Sequence, residues 1–284
     1  MIRPRLPLLF DVKVIICGFS VTVSWVEQFF DDIYLDFMMH YRGEEVSRAE
    51  ALFIQRALKA EPGVRVLDVA CGHGRHMAHL PRDGVVGIDI NIKYLKTAKR
   101  FGDVIQADVR NLPFRRNAFH GAYIMHSTFG MFGEEVEMEL LTWLSGVVKP
   151  GGRLLIDVAN KEKIEDIHAS LGEVWNFWIS AGPYRVLSTA YYNPVTSRIR
   201  ETRHIYRAGQ YLGERVLELT LYSLGELRIM LSSVGFSIEE IYGDFNGEKY
   251  RRQSDRIIVV AVKTSGVSKT LKHAVEWASE NRHI

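Results

Sequence analysis

Cysteine is scarce in these 284 residues: there are two, Cys17 and Cys71. Two cysteines in unrelated contexts exclude a disulfide framework, and the expected setting is reducing and cytoplasmic. Neither has metal-ligating neighbours at zinc spacing, so no metal is expected. Charge of one sign is also lacking. Thirty-six Lys and Arg face 34 Asp and Glu, a net charge of +2, whereas proteins that work through phosphate contacts usually carry a larger basic excess. Nucleic acid is therefore not the expected partner. Long apolar runs are missing too. The run Val14–Val23 follows Asp11 and Lys13 and is too short to span a bilayer. No small-residue cleavage site follows it, so neither a membrane partner nor a leader is expected, and residues 1–24 are an extension without an assigned role.

What is present is the composition of an ordinary globular chain, 47% hydrophobic and 25% charged. Apolar residues recur at helical spacing from Trp25 to Tyr41 and from Val46 to Leu58, which predicts a helical cap over residues 25–62. Short apolar runs follow at Val64–Val69, Val85–Ile88, Val104–Gln106, Ala118–Met125 and Arg153–Val158, with helical patterns between them at Ile92–Phe101 and Glu134–Val147. Strands alternating with helices predict a doubly wound, mostly parallel α/β sheet, here over residues 63–160. Residues 161–222 break that rhythm: extended segments rich in Tyr, Thr and Arg alternate with turn signals such as "NPVTS", predicting an antiparallel β-insertion that acts as a lid. The α/β rhythm returns over 223–264 with helix Leu224–Val234 and strands Phe236–Tyr242 and Arg256–Val262, and a last amphipathic helix is expected within 265–284.

The chemistry concentrates at strand ends. "VLDVACGHGR" (Val66–Arg75) places Gly72 and Gly74 in the turn after the first strand, leading into a helix, where open α/β sheets bind ligands. The third glycine of a dinucleotide fingerprint is missing, since Met77 stands there, and no Gly-Lys-Ser/Thr follows. Asp68 precedes the loop, where an acid repels phosphate and favours an ammonium group. Asp89, in "GVVGIDIN", ends the second strand, where an acid can accept from both ribose hydroxyls. Asp108, in "QADVRNLPF", follows the third strand within reach of an adenine amino group. Each acid alone is as readily a turn residue or helix cap. Three in this order, beside a glycine loop, form a constellation.

These segments, with "VKPGGRLLIDV" (Val148–Val158), resemble the motifs of class I S-adenosylmethionine-dependent methyltransferases. Leu221–Gly247, followed by "SDRIIVVAVK" (Ser254–Lys263), is similar to the C-terminal half of a group of small methyltransferases that carry a β-insertion. The resemblance implies a seven-stranded Rossmann-like sheet and S-adenosylmethionine as cofactor. It further implies that Asp68 serves the methionine amino group and that the backbone at Ala70, Gly72 and Gly74 faces the methionine chain. Asp89 takes the ribose hydroxyls, Ile90 lines the adenine, Asp108 holds its amino group and Val109 lies beside it. His126 and Ser127, in "MHSTFGMF", fall where the transferable methyl is met.

Methyl transfer from a sulfonium needs alignment more than a catalytic group, and orientation can supply up to about 7–11 kcal/mol. A general base is required only where the acceptor must lose a proton, and His126 is the candidate. Substrate candidates are Tyr34 and Tyr41 from the cap, Ser127, Tyr191 and Arg200 from the insertion, and Tyr250 from the loop after the sixth strand of the core sheet. His40 and Arg42 are further candidates for the methionine carboxylate. The face formed by Arg198, Arg200, His204 and Tyr206 reads either as an anion site or as a solvated sheet face. Arg75, Arg115 and Arg116 read as surface charges, and Trp175, Phe177 and Trp178 as packing of the insertion. The expected activity is methylation of a nitrogen or oxygen on a small molecule, with a homodimer as the possible assembly. The alternatives are an RNA methyltransferase and a non-catalytic cofactor-binding regulator.

Overall fold

The computed structural model describes residues 29–110 and 113–264. The expectations for residues 1–24 and for the C-terminal helix lie outside them. The first described helix, α1 (Asp32–Tyr41), starts where the Asp31 carboxylate accepts from Tyr34 N–H at 2.9 Å. That cap interrupts the helical pattern extending from Trp25. α2 (Glu44–Leu58) buries Glu50, Ala51, Ile54, Ala57 and Leu58, one face at helical spacing. It stops at Lys59, in left-handed conformation.

The core strands are β1 (Val66–Val69), β2 (Val85–Asp89), β3 (Asp103–Gln106), β4 (Phe119–Ile124) and β5 (Val148–Ala159), with α3 (Ile92–Ala98) and α4 (Glu134–Val147) between them. After α5 (Lys161–Leu171) come β6 (Val174–Ala181), β7 (Tyr184–Asn193), β8 (Arg198–Arg207) and β9 (Gln210–Thr220). Then α6 (Leu224–Ser233), β10 (Phe236–Tyr242) and β11 (Arg256–Lys263) complete the core. The large sheet has the order β10-β11-β5-β4-β1-β2-β3. Five strands from β3 to β5 are parallel and β11 inserts antiparallel between β5 and β10. Near-continuous Val, Ile and Leu suit strands covered on both faces. Phe53, Ile54, Met77 and Leu95 cover one face, while Leu140, Leu144, Leu227 and Leu231 cover the other.

The glycine loop does not open into a full helix. A three-residue 3-10 turn, Met77–His79, is all that forms. Pro81 forces Leu80 into extended conformation, as proline does to the residue before it, and β2 begins at Val85. α2 packs against this turn and against β4 and β5 instead.

Strands β6 to β9 form a separate antiparallel sheet in sequential order. Its inner face, with Tyr184, Val186 and Ile205, packs on Phe37 of α1, while Ala190, Tyr192 and Leu219 pack around Phe29. Trp175 joins this core, but Phe177 and Trp178 do not. Phe177, on the edge strand, is 39% exposed, and Trp178, on its opposite, outward face, is 61% exposed beside Tyr206.

Beyond β4 the chain turns through two consecutive left-handed residues, His126 (φ 56°) and Ser127 (φ 60°). Neither is glycine, so the turn is strained by about 1–2 kcal/mol per residue. Asp157 of β5, fully buried, holds it: its carboxylate accepts from His126 N–H at 2.8 Å and its carbonyl from Ser127 N–H at 3.0 Å. Arg256 pairs with the same carboxylate. Asp157→Ala should therefore free the His126 end of the turn and strand Arg256. We expect a loss of about 3 kcal/mol, the low end for a broken buried pair because Arg256 keeps some contact with water. Urea unfolding measures it.

Candidate functional site

A cavity of about 490 Å³ opens at the carboxyl ends of β1 to β4, on the side where strand order reverses. Asp68, Ala70, Gly72, Asp89, Ile90, Asp108, Val109 and His126 line it, and α1 contributes Tyr34, Leu35 and Met38. Gly74 does not. Its φ of +82° permits the turn, but its Cα face is pressed on α3: an added Cβ would lie 2.9 Å from the Ala98 Cα. Gly74 thus packs helix against loop.

The three strand-end acids differ in what already satisfies them. Asp89 accepts from Gly72 N–H at 2.8 Å through one oxygen and from Asn91 N–H at 2.7 Å through the other, fixing the glycine loop to the start of α3. Burial still raises its pKa. Asp108 is bound by Arg110, whose Nε lies 3.0 Å from both carboxylate oxygens. That pairing outweighs the upward push of burial and lowers the Asp108 pKa. Asp68 is 2% exposed, and its Oδ2 has no partner. Burial pushes its pKa up to about 7, against the pull of the Tyr123 hydroxyl and Arg75. A buried acid with a spare oxygen is costly, and a cationic ligand group would relieve it.

Four cations and imidazoles converge on one carboxylate that sequence reasoning missed, Glu50 of α2. It is 2% exposed. Oε2 receives Arg75 Nη1 at 2.6 Å, His76 Nε2 at 2.9 Å and His126 Nε2 at 2.9 Å, while Oε1 receives Arg42 Nη1 at 3.2 Å. Burial alone would raise the Glu50 pKa, but the hydrogen bonds from His126 and His76 and the Arg75 charge hold it far below the carboxylate range. Burial lowers His76 to about 3 and His126 to about 4, with Arg75 adding to both shifts. Both rings are therefore neutral at physiological pH. Since an ionised carboxylate only accepts, each ring carries its hydrogen on Nε2 and its lone pair on Nδ1. The rings stack at 5.8 Å. Glu50, His76 and His126 offer ligand atoms within 4.8 Å of one another, the number a metal would need. Two guanidinium groups already occupy Glu50, however, and a divalent cation there would face both in low dielectric. The donor set fits an ion-pair hub rather than a metal.

Arg75 is accordingly no surface charge, its side chain being 13% exposed and part of the cavity wall. Arg42 serves Glu50 and does not line the cavity; His40 bonds its own helix at Asp36 O. Of the substrate candidates only Tyr34 reaches the cavity. Tyr41 stacks on Phe37 at the surface. Ser127 Oγ accepts from Ala159 N–H and Arg256, so it fastens β4 to β5 and β11. Tyr191 is exposed on β7, and Arg200 lies on β8 away from the cavity. Tyr250 donates toward Glu162 and Asn160, outside the cavity. On the arginine face, Arg198 does reach the cavity but pairs with Glu218 at 3.0 Å.

These features define a class: a doubly wound α/β protein with a cleft at the switch point of its sheet, lined by three strand-end acids. The comparisons specify it. The methyltransferase-domain family pattern matches residues 66–152. Over 107 residues the chain is 37% identical to a demethylmenaquinone methyltransferase of Corynebacterium kroppenstedtii, covering 36% of this chain and 44% of that protein. The chain thus spans less than half the length of this relative. The CcbJ methyltransferase of Streptomyces caelestis superimposes with a TM-score of 0.67 at 15% identity, over 81% of this chain and 96% of that one. CalS10 of Micromonospora echinaspora, an amino pentose methyltransferase solved with S-adenosylmethionine bound, gives 0.59 at 18%, over 83% and 98%. The chain carries a class I S-adenosylmethionine-dependent methyltransferase domain.

The imidazoles and Asp68 act oppositely on stability. Unfolded histidines take up protons as pH falls through about 6.5, whereas folded His76 and His126 resist, so they withdraw stability on acidification. Asp68, raised in the folded chain, adds stability over the same fall. Two groups outweigh one, and urea unfolding between pH 6.5 and 4.5 should show a net loss. His76→Gln should flatten that slope and Asp68→Asn should steepen it.

Proposed function

We propose that the chain transfers a methyl group from S-adenosylmethionine to a nitrogen or oxygen of a small-molecule acceptor. The observation that carries this is the Asp68 carboxylate, buried with one oxygen unpartnered at the glycine-loop end of a cavity whose other acids stand at the ends of β2 and β3. The residues fit the cofactor: Asp68 suits the ammonium, Asp89 and Ile90 the ribose and adenine region, and Asp108 and Val109 the far end of the base. When bound there, the cofactor supplies an activated methyl that departs in an in-line displacement.

The chain's own contribution is orientation, exclusion of water and the fate of one proton. Tyr34, Leu35 and Met38 roof the cavity, and Met131 walls the side toward the insertion. His126 takes the acceptor's proton at Nδ1, because Glu50 holds its Nε2 hydrogen. Similarity to small-molecule methyltransferases such as CalS10 supports this substrate class. So does Arg198, whose ion pair with Glu218 leaves it poorly suited to phosphate. No described helix is long and apolar enough to cross a membrane.

Calorimetric titration with S-adenosylmethionine tests the cofactor reading. Affinity should rise as pH increases through about 7, where Asp68 ionises, and Asp68→Asn should weaken binding and remove the pH dependence. PH-independent binding, unchanged in the variant, contradicts the assignment. In an acceptor screen read by release of S-adenosylhomocysteine, His126→Asn should lower turnover by about 10²–10⁴-fold while cofactor affinity changes little.

A further inference from the structure

An open sheet has two edges, so the two sheets of this chain present four, at β10, β3, β6 and β9. Three of them carry devices that discourage pairing with another chain. β3 is only four residues long and begins at Asp103. β10 contains Glu239 and Glu240, and a bulge breaks its register between Ile238 and Glu240. β9 contains Glu214, Arg215 and Glu218, and Thr220 at its end already donates to Gly130 O at 2.7 Å.

The fourth edge, β6, has none of these. Its eight residues, VWNFWISA, include no charge and no proline, and its register against β7 runs without a bulge. Among the described residues no strand pairs with its other side. Val174, Phe177 and Trp178 stand exposed along it. One hydrogen bond fixes which backbone groups are free. Tyr192 N–H donates to Glu173 O at 3.3 Å, so the backbone of Glu173 faces β7. That facing alternates along an antiparallel strand. The N–H and C=O groups of Val174, Asn176, Trp178 and Ser180 therefore point away from β7, and all four residues are exposed.

We propose that β6 pairs antiparallel with β6 of a second copy of this chain, across a twofold axis at Phe177, joining the two four-stranded sheets into one. A twofold contact must be complementary to itself, and an uncharged edge meets its own copy without repulsion. The register is the one that uses all four free residues: Val174 opposite Ser180 of the second copy, and Asn176 opposite Trp178. The two Phe177 side chains then meet at the axis as a non-hydrogen-bonded pair, where side chains approach most closely. β6 contributes nothing to the wall of the cofactor cavity, so this inference stands apart from the cofactor reading.

Sedimentation velocity on the full chain tests it. Wild type should move from monomer toward dimer between about 1 and 100 μM, the range suited to a contact of small area. Asn176→Lys with Trp178→Lys sets lysine opposite lysine in this register and should leave a monomer. Asn176→Lys with Trp178→Glu sets lysine opposite glutamate and should restore the dimer. Hydrogen exchange on wild type needs no variant: the amides of Val174, Asn176, Trp178 and Ser180 should slow several-fold at the high concentration. A wild-type monomer throughout overturns the proposal, as does a dimer in which these amides exchange at the monomer's rate, whether or not the variants fold. A folded double-lysine protein that still dimerises places the contact elsewhere and overturns it too. So does a folded lysine–glutamate protein that stays monomeric, since the pairing would then lack the stated register.

Discussion

The Glu50 carboxylate joins three parts of the chain that share no local sequence. It sits on α2, yet its partners come from the helix junction at Arg42, the glycine loop at Arg75 and His76, and the end of β4 at His126. Moving a carboxylate out of water costs several kcal/mol, and such an ion is tolerable only when nearly all its lone pairs are used. Here they are. The consequence is that α2 cannot shift without breaking contacts to the cofactor loop and to the residue proposed to take the proton. The position of the cap is thereby a property of the active cavity.

Around that hub, local geometry divides the work among acids of the same type. Asp157 spends its oxygens on the strained turn at His126 and Ser127 and on Arg256, which makes it a scaffold. Asp89 ties the glycine loop to α3 while still facing the cavity. Asp68 alone has spare capacity among the strand-end acids. Identity as an aspartate says little; the number of donors already present decides whether it holds the fold or a ligand.

The legible part of the sequence was the part whose logic is local. β10 and α4 could be read to the residue because their apolar periods and bounding glycines lie within the element itself. The three strand-end acids could be read because each follows an apolar run directly. Glu50 could not. In "EEVSRAEALF" it is one acid of several on a helix, and its inward face becomes meaningful only when residues 42, 75, 76 and 126 close on it. Arg75 was misread for the same reason, since a guanidinium in a polar loop looks solvated until a buried carboxylate meets it. The missing helix after the loop had a local signal, Pro81, which the general rhythm of strand and helix overrode. Tyr41, Tyr191 and Tyr250 were chosen for their chemistry alone, and chemistry without a partner in space does not locate a side chain.

The insertion acts on the cavity chiefly through α1. Of its strands only Arg198 touches the cofactor cavity, whereas its inner face carries α1 through Phe37 against Tyr184 and Phe29 beside Leu219. Polar ties reinforce the packing: Arg215 pairs with Asp31 at the start of α1, and buried Arg203, bound bidentately by Glu201, lies against Phe29. Tyr34 on that helix reaches both systems, lining the cavity while facing Arg203. The roof is therefore clamped from two sides, by the insertion through α1 and by the core through α2 and Glu50. The insertion side rests on packing and ion pairs at the edge of the molecule. The Glu50 side rests on a buried charge that cannot be separated from its partners cheaply.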